Sequence, residues 1–150
     1  MVSELVRVRR FSLLGFALIA GALFALLEMH ALFSPQPWVI ALQVAAALLM
    51  LWARVTFGMR SFHADAAPTD GGLVTSGPYR FIRHPIYAAI GLFVWAGVLA
   101  HLSTLTVLLG CAATAGIVVR VRCEETLITE RYPEYREYAT RTRRLLPMVW

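Results

Sequence analysis

Residues Ile86 to Val119 read IYAAIGLFVWAGVLAHLSTLTVLLGCAATAGIVV and carry no formal charge. At about 34 residues the run is too long for one crossing of a hydrocarbon core, which needs about 20, and short for two. His101-Leu102-Ser103-Thr104 lies near its middle. We read the run as a tight helical hairpin with helices over 85–100 and 104–119, both thin for a bilayer and accommodated by local thinning. A single tilted or kinked helix is the other reading. Upstream, Phe11 to Phe33 and Trp38 to Ala53 form two more spans around the breaker Ser34-Pro35-Gln36-Pro37, with Trp38 and Trp52 as interfacial anchors. The expected fold is therefore all-α and polytopic: about four transmembrane helices (11–33, 38–53, 85–100, 104–119) in one domain covering 1–150.

Composition agrees with a membrane solvent. Apolar residues make up 59% of the chain and charged residues only 15%, with a mean hydropathy of +0.65; soluble domains carry about 25% charge. The net charge of +5 comes from a basic set of 14 that is all arginine. These arginines flank hydrophobic segments instead of forming one basic patch, which argues for topology and against nucleic acid. Arg7, Arg9 and Arg10 precede the first span, Arg54, Arg60, Arg80 and Arg83 lie between the second and third, and the rest follow the fourth. That distribution predicts four crossings with both termini cytoplasmic. A cleaved signal peptide is the competing reading of the first span, disfavoured by its length and by the lack of a small-x-small site; an N-terminus without transit-peptide character fits a bacterial inner membrane. Cys111 and Cys123 read as free thiols, and no residues show metal-ligand spacing, so no metal is expected.

Polar chemistry is confined to 54–84 and 120–150, which the topology puts on one membrane side. The first segment holds His63, Asp65, Pro68, Asp70 and Gly71-Gly72, and ends in Gly77-Pro78-Tyr79-Arg80-Phe81-Ile82-Arg83-His84-Pro85-Ile86-Tyr87. Pro85 suits the first turn of a helix, leaving His84 as its cap, and free N–H groups there favour an anion that Arg83 and His84 could also bind. The alternative makes Arg83 and His84 headgroup-level topology residues, with Tyr79 and Tyr87 in an aromatic belt. In the second segment, Glu124 and Glu125 follow the last span on a continuing helix and point about 100° apart. One can pair with Arg120 while the other faces a ligand; the alternative is a solvated helix end. Tyr132, Tyr135 and Tyr138 are spaced to share one helix face, Glu137 and Arg141 to pair, and Arg141, Arg143 and Arg144 to meet anionic lipid before Leu145-Leu146-Pro147. Glu28, His30, His63 and His101 read as interfacial or loop residues. No nucleophile elbow, phosphate-binding loop or dinucleotide fingerprint occurs.

The Gly77–Tyr87 motif, the hydrophobic helix pair, Glu124-Glu125 and the tyrosine-rich tail ending Arg144-Leu-Leu-Pro147 together resemble the isoprenylcysteine carboxyl methyltransferase family and the related phospholipid methyltransferases. The resemblance implies a helical membrane fold that binds S-adenosylmethionine at the cytosolic surface. It places Arg83, His84, Pro85 and Tyr87 at the cofactor, Tyr79 near it, and Glu124 and Glu125 closing it from the last membrane helix. Glu125 and Arg144 would be the catalytic pair, Arg144 orienting the acceptor. Ala89 stands where the family often has glycine, and many relatives have more spans.

The implied chemistry suits these residues. A methyl on a sulfonium is already activated, so the protein must chiefly align a nucleophile and exclude water. A carboxylate acceptor is ionised at neutral pH, whereas an amine would need a base, for which a glutamate is available. The leading expectation is an S-adenosylmethionine-dependent membrane methyltransferase acting on a lipophilic or amphipathic acceptor, most readily an isoprenylcysteine-type carboxylate. Two alternatives stand beside it: an NADPH-dependent reductase of the sterol-reductase type, which shares a similar loop and tail, and a non-catalytic four-helix protein binding membrane lipid.

Overall fold

The computed structural model describes residues 2–58 and 72–145. The loop residues Arg60, His63, Asp65, Pro68, Asp70 and Gly71, and Leu146 and Pro147 of the tail, lie outside the described residues. The described residues form five α-helices and no strand: α1 (Val2–Glu28), α2 (Pro37–Phe57), α3 (Pro85–Ala100), α4 (Thr104–Arg131) and α5 (Tyr135–Arg141). A short 3-10 turn, Gly77–Arg80, precedes α3. The all-helical polytopic architecture expected from the sequence is present. Three helices are long and apolar enough to cross a membrane, α1 over Val6–Glu28, α2 and α4, while α3 is a shorter apolar helix of 16 residues.

Local chemistry sets the boundaries. α1 stops at Glu28, short of the Phe33 expected for the first span. His30 takes a left-handed φ of 53°, and the Ala31 N–H turns back to the Leu26 carbonyl at 2.9 Å, which closes the helix. Pro37 opens α2 and Pro85 opens α3, each at a position where the missing N–H is not needed. The expected hairpin between α3 and α4 is present. His101 caps α3, and Ser103 starts α4 with a reciprocal capping box to Thr106. α4 then runs unbroken through Glu124 and Glu125 to Arg131, 28 residues or about 42 Å.

Packing follows the order α2, α3, α4, α1 across the bundle. Leu26 of α1, Val94 and Val98 of α3 and Ala113 of α4 meet in one core cluster, and Ile19, Ile117 and Val121 in a second. α1 and α4 touch at the backbone: a Cβ on Gly116 would stand 2.6 Å from the Gly15 carbonyl oxygen. Gln43, buried on α2, donates to the Leu32 carbonyl at 2.7 Å, and His101 Nε2 meets the Phe33 carbonyl at 2.8 Å, so both tie the far-end loops together. Phe24, Leu48, Leu51 and Val55 face outward from α1 and α2, as a lipid-facing surface requires.

The tail departs from the expected tyrosine stripe. Tyr132 caps α4, and Pro133 cannot continue it, so only Tyr135 and Tyr138 share a helix, α5. Leu145 returns to pack beside Ile19, Ile117 and Val121.

Candidate functional site

The site is built where the chain before α3 meets the chain after α4. Gly77 starts the 3-10 turn at a φ of +55°, and a Cβ there would lie 2.5 Å from Thr56 Oγ1 on α2, so glycine is required twice over. The turn buries Pro78 and Tyr79, whose ring lies 5.6 Å from that of Phe57. Residues 81–84 then run beside residues 143–144. Arg143 N–H donates to the Phe81 carbonyl at 3.3 Å, Arg83 N–H to Arg143 at 2.7 Å, and His84 N–H to Arg144 at 3.0 Å. This is an isolated parallel bridge, Ile82 with Arg143, and it clasps the tail to the Arg83-His84-Pro85 segment. Tyr138 adds a fourth hold, its hydroxyl donating to the Tyr79 carbonyl at 2.5 Å.

Within this clasp the two glutamates take separate partners, as their angular separation requires. Glu125 Oε1 accepts from Arg83 Nε at 2.9 Å and from the Tyr135 hydroxyl at 3.2 Å, while Oε2 accepts from Arg144 Nε at 2.8 Å. Arg83 also donates from one terminal nitrogen to the carbonyls of Ala139 (3.0 Å) and Thr142 (2.5 Å). Glu124 Oε1 accepts from the Tyr87 hydroxyl at 2.5 Å and from Arg120 at 3.1 Å. The Arg83 side chain is 8% exposed and that of Arg144 27%, so Arg144 is the guanidinium that faces outward.

His84 sits between the carboxylates, 6% exposed, with Nδ1 at 3.6 Å from Glu124 and Nε2 at 3.5 Å from Glu125. Its Nε2 is buried without a hydrogen-bond partner. Burial opposes a charge on this ring, but the two carboxylates outweigh burial and hold the imidazole above its ordinary value of 6.5. Burial pushes the Tyr138 phenol up to about 12 and those of Tyr79 and Tyr135 further in the same direction, so all three stay protonated. An open cleft of about 400 Å³ adjoins the cluster, lined by Arg122, Glu125, Thr126, Thr129, Glu130 and Arg136.

Of the residues singled out from sequence, Arg83, His84, Tyr87, Glu124, Glu125 and Arg144 converge. Tyr79 enters through its backbone carbonyl, and Pro85 as the first residue of α3. Tyr132 is separated from the cluster's α5 tyrosines by Pro133. Glu137 and Arg141 pair on an exposed face. Ala89 is buried, its methyl absorbed into the bundle. Cys111 and Cys123 are free, and no group of three metal-ligating side chains occurs among the described residues. Sequence reasoning passed over Tyr135 and Thr142 as partners of Glu125 and Arg83, and over Ser12, which Arg120 reaches at 3.0 Å. Ser12 had one visible signal, as the lone hydroxyl in the apolar run from Phe11 to Leu27.

Residues 38–130 match the model of the isoprenylcysteine carboxyl methyltransferase family. The chain belongs to this family. Membership, with three helices able to span a bilayer, supports an integral membrane protein and a membrane methyltransferase. The matched stretch takes in α2, α3 and nearly all of α4, and leaves α1, α5 and Arg144 outside. Two relatives are similar over about half the chain. The nickel-cobalt-cadmium resistance protein NccN of Alcaligenes xylosoxydans xylosoxydans is 35% identical over 79 residues, 51% of this chain and 37% of that protein. The cobalt-zinc-cadmium resistance protein CzcN of Cupriavidus metallidurans is 34% identical over 78 residues, 51% of this chain and 36% of that protein. The chain thus covers little more than a third of either relative's length. No solved structure matches.

Proposed function

We propose that this family member is an S-adenosylmethionine-dependent methyltransferase whose acceptor is a lipophilic molecule bearing a carboxylate, and that residues 1–150 work as one domain. The observation that carries the reading is the convergence of Arg83, His84, Tyr87, Glu124, Glu125 and Arg144 at one end of an apolar bundle.

The residues fit the cofactor. His84 Nε2 is a buried nitrogen with no hydrogen-bond partner, available to a ligand's polar atom, and carboxylates with an aromatic ring beside it suit a sulfonium. Arg83, His84, Pro85, Tyr87, Glu124 and Glu125 would hold it, with Tyr79 bracing the loop. When bound, S-adenosylmethionine supplies a methyl group already activated by its sulfonium. The chain's own residues supply alignment. Arg144, the most exposed guanidinium of the cluster, orients the acceptor through charge-assisted hydrogen bonds. Glu125 holds Arg83 and Arg144 apart at a fixed spacing.

Charge favours a carboxylate over an amine. Three guanidiniums, Arg83, Arg120 and Arg144, face two carboxylates, which leaves the cluster positive before His84 is counted. Both oxygens of Glu125 are committed to arginines and Tyr135, which suits an anchor better than a general base. An ionised acceptor needs no base. The topology we propose puts this end and both termini in the cytoplasm of a bacterium, at its inner membrane, with the acceptor entering sideways from lipid. The resistance functions in the relatives' names belong to proteins of which the chain covers too little to inherit them.

The test is calorimetric titration of the detergent-purified protein with S-adenosylhomocysteine, S-adenosylmethionine and NADPH in parallel. Binding of the adenosyl ligands, lost in His84→Ala, is the expected result. NADPH binding in their place would move the chain to the reductases, and binding of none would leave a lipid-binding role.

A further inference from the structure

Arg120, on α4, is a second buried cation beside Arg83, one turn before Glu124 and only 5% exposed at its side chain. Its three nitrogens reach three helices' worth of partners: Nε donates to the Tyr87 hydroxyl on α3 at 2.7 Å, one terminal nitrogen to Glu124 on α4 at 3.1 Å, and the other to Ser12 Oγ on α1 at 3.0 Å. Tyr87 in turn donates to the same Glu124 oxygen at 2.5 Å, closing a ring of three groups. The rings of Phe16 and Tyr87 each lie 5.8 Å from the guanidinium carbon. Ser12 is fully buried, and it lies one turn before Gly15, where α1 and α4 meet backbone to backbone. Neither Ser12 nor any other part of α1 falls within the family match.

We propose that Ser12 of α1 and Arg120 of α4 are positioning residues that set the direction of the Tyr87 hydroxyl and of the Glu124 carboxylate at the site. A guanidinium is a rigid planar fork, so fixing one of its nitrogens fixes the other two. Ser12 holds the nitrogen farthest from the site. Through the fork it fixes where Nε presents a proton to Tyr87, and this makes the Tyr87 oxygen an acceptor on one side and a donor to Glu124 on the other. Glu124 then faces His84 Nδ1 at 3.6 Å. Stability alone gives little reason to keep such a group, since well-packed apolar residues commonly replace a buried ion pair without loss. Defined geometry at the adjoining site gives one. α1 thereby becomes part of the site that the family-matched helices form, instead of a separate anchor. The effect on ligand binding rests on the cofactor reading above, whereas the effect on Tyr87 does not.

The experiment labels the five tyrosines of the full chain with 3-fluorotyrosine in detergent and assigns the Tyr87 fluorine resonance with Tyr87→Phe. Ser12→Ala removes a single oxygen and is the deciding variant; Arg120→Lys keeps the charge and removes the fork. Both are expected to displace the Tyr87 resonance while leaving that of Tyr132 in place. Both should also raise the dissociation constant for S-adenosylhomocysteine about tenfold, equivalent to about 1.4 kcal/mol. An unmoved Tyr87 resonance in Ser12→Ala overturns the proposal whether or not any ligand binds. A moved resonance with unchanged affinity in a protein that does bind also overturns it, because Tyr87 and Glu124 would then be placed without consequence. A moved resonance in a protein that binds no adenosyl ligand upholds the relay from Ser12 to Tyr87 and removes the cofactor reading instead.

Discussion

Replacing Glu125 by glutamine tests the clasp between the tail and the Arg83-His84-Pro85 segment. The carboxylate faces Arg83 at 2.9 Å and Arg144 at 2.8 Å, at 13% exposure, and accepts from Tyr135 at 3.2 Å. Glutamine keeps the shape but presents an amide nitrogen to one of the two guanidiniums. Breaking a buried ion pair from one side costs about 3–5 kcal/mol, because the remaining charge stays buried. Arg83 is that charge. Arg144 is 27% exposed and can turn to water, so its pair adds little. Arg83 also holds the Ala139 and Thr142 carbonyls, and those bonds survive the substitution. The low end of the range, about 3 kcal/mol, is therefore the expected loss, and it raises the open population of the clasp roughly a hundredfold. Hydrogen exchange on the detergent-solubilised protein should read this directly. Amides of Arg143, Arg83 and His84, which form the bridge, and those of α5 should lose protection, while amides within α1 and α4 keep theirs. Unchanged protection at Arg143 and His84 in Glu125→Gln, with ligand binding abolished, would refute the reasoning. Glu125 would then act on the ligand alone and not through the tail.

Other perturbations isolate single contacts. His84 is held above 6.5 when folded, so its contribution to stability is complete below that pH and is lost as pH rises through the folded value. The melting temperature in detergent should fall as pH is raised above about 6.5, and His84→Gln, which does not titrate, should flatten that fall. Gly116→Ala sets a methyl 2.6 Å from the Gly15 carbonyl oxygen and is expected to cost about 1–3 kcal/mol by forcing α1 from α4; a melting temperature equal to the parent's would show that the helices slide apart freely. Tyr138→Phe removes the bond to the Tyr79 carbonyl and should cost about 1 kcal/mol, with α5 amides exchanging faster and affinity for S-adenosylhomocysteine little changed.

The sequence was most informative where one interaction dominates. Charge-free length marked α2, α3 and α4, and the pair of His101 and Ser103 marked the hairpin, because no bilayer-spanning backbone can leave its polar groups unpaired. The end of α1 was less legible: nothing in Glu28-Met29-His30 demands a left-handed residue, and a further five apolar-rich positions looked like more helix. The tyrosine spacing of three points to one helix face, but Pro133 cannot continue α4, so Tyr132 ends that helix and Tyr135 begins the next. At the site, residues contributed by adjoining motifs could be grouped in advance. Ser12 could not be joined to Arg120, since the two are 108 positions apart and only the Gly15–Gly116 approach brings them within reach.

The length of α3 explains why the cluster must be so fully paired. Sixteen residues rise about 24 Å, less than a hydrocarbon core of roughly 30 Å. In the topology we propose, with the His101 turn at one membrane surface, the other end of α3, where His84 and Pro85 stand, would lie at the inner edge of the opposite polar layer. At that level an unpaired charge facing the bundle would be expensive. The chain meets this by matching Arg83 and Arg144 to Glu125 and Arg120 to Glu124, and by folding residues 142–145 back over the cluster. The lipophilic acceptor we propose would gain from the same placement. Its polar head can meet Arg144 near the level where the membrane's polar layer begins, while its tail stays among lipid chains beside the bundle. Under the proposed function, a shortened α3 would let one end of the bundle serve a ligand from water and another from the bilayer. Inserting one helical turn of alanines in the middle of α3, about 6 Å of extra rise, would lift His84 toward water. It should raise solvent exchange of the His84 amide even if the clasp is retained.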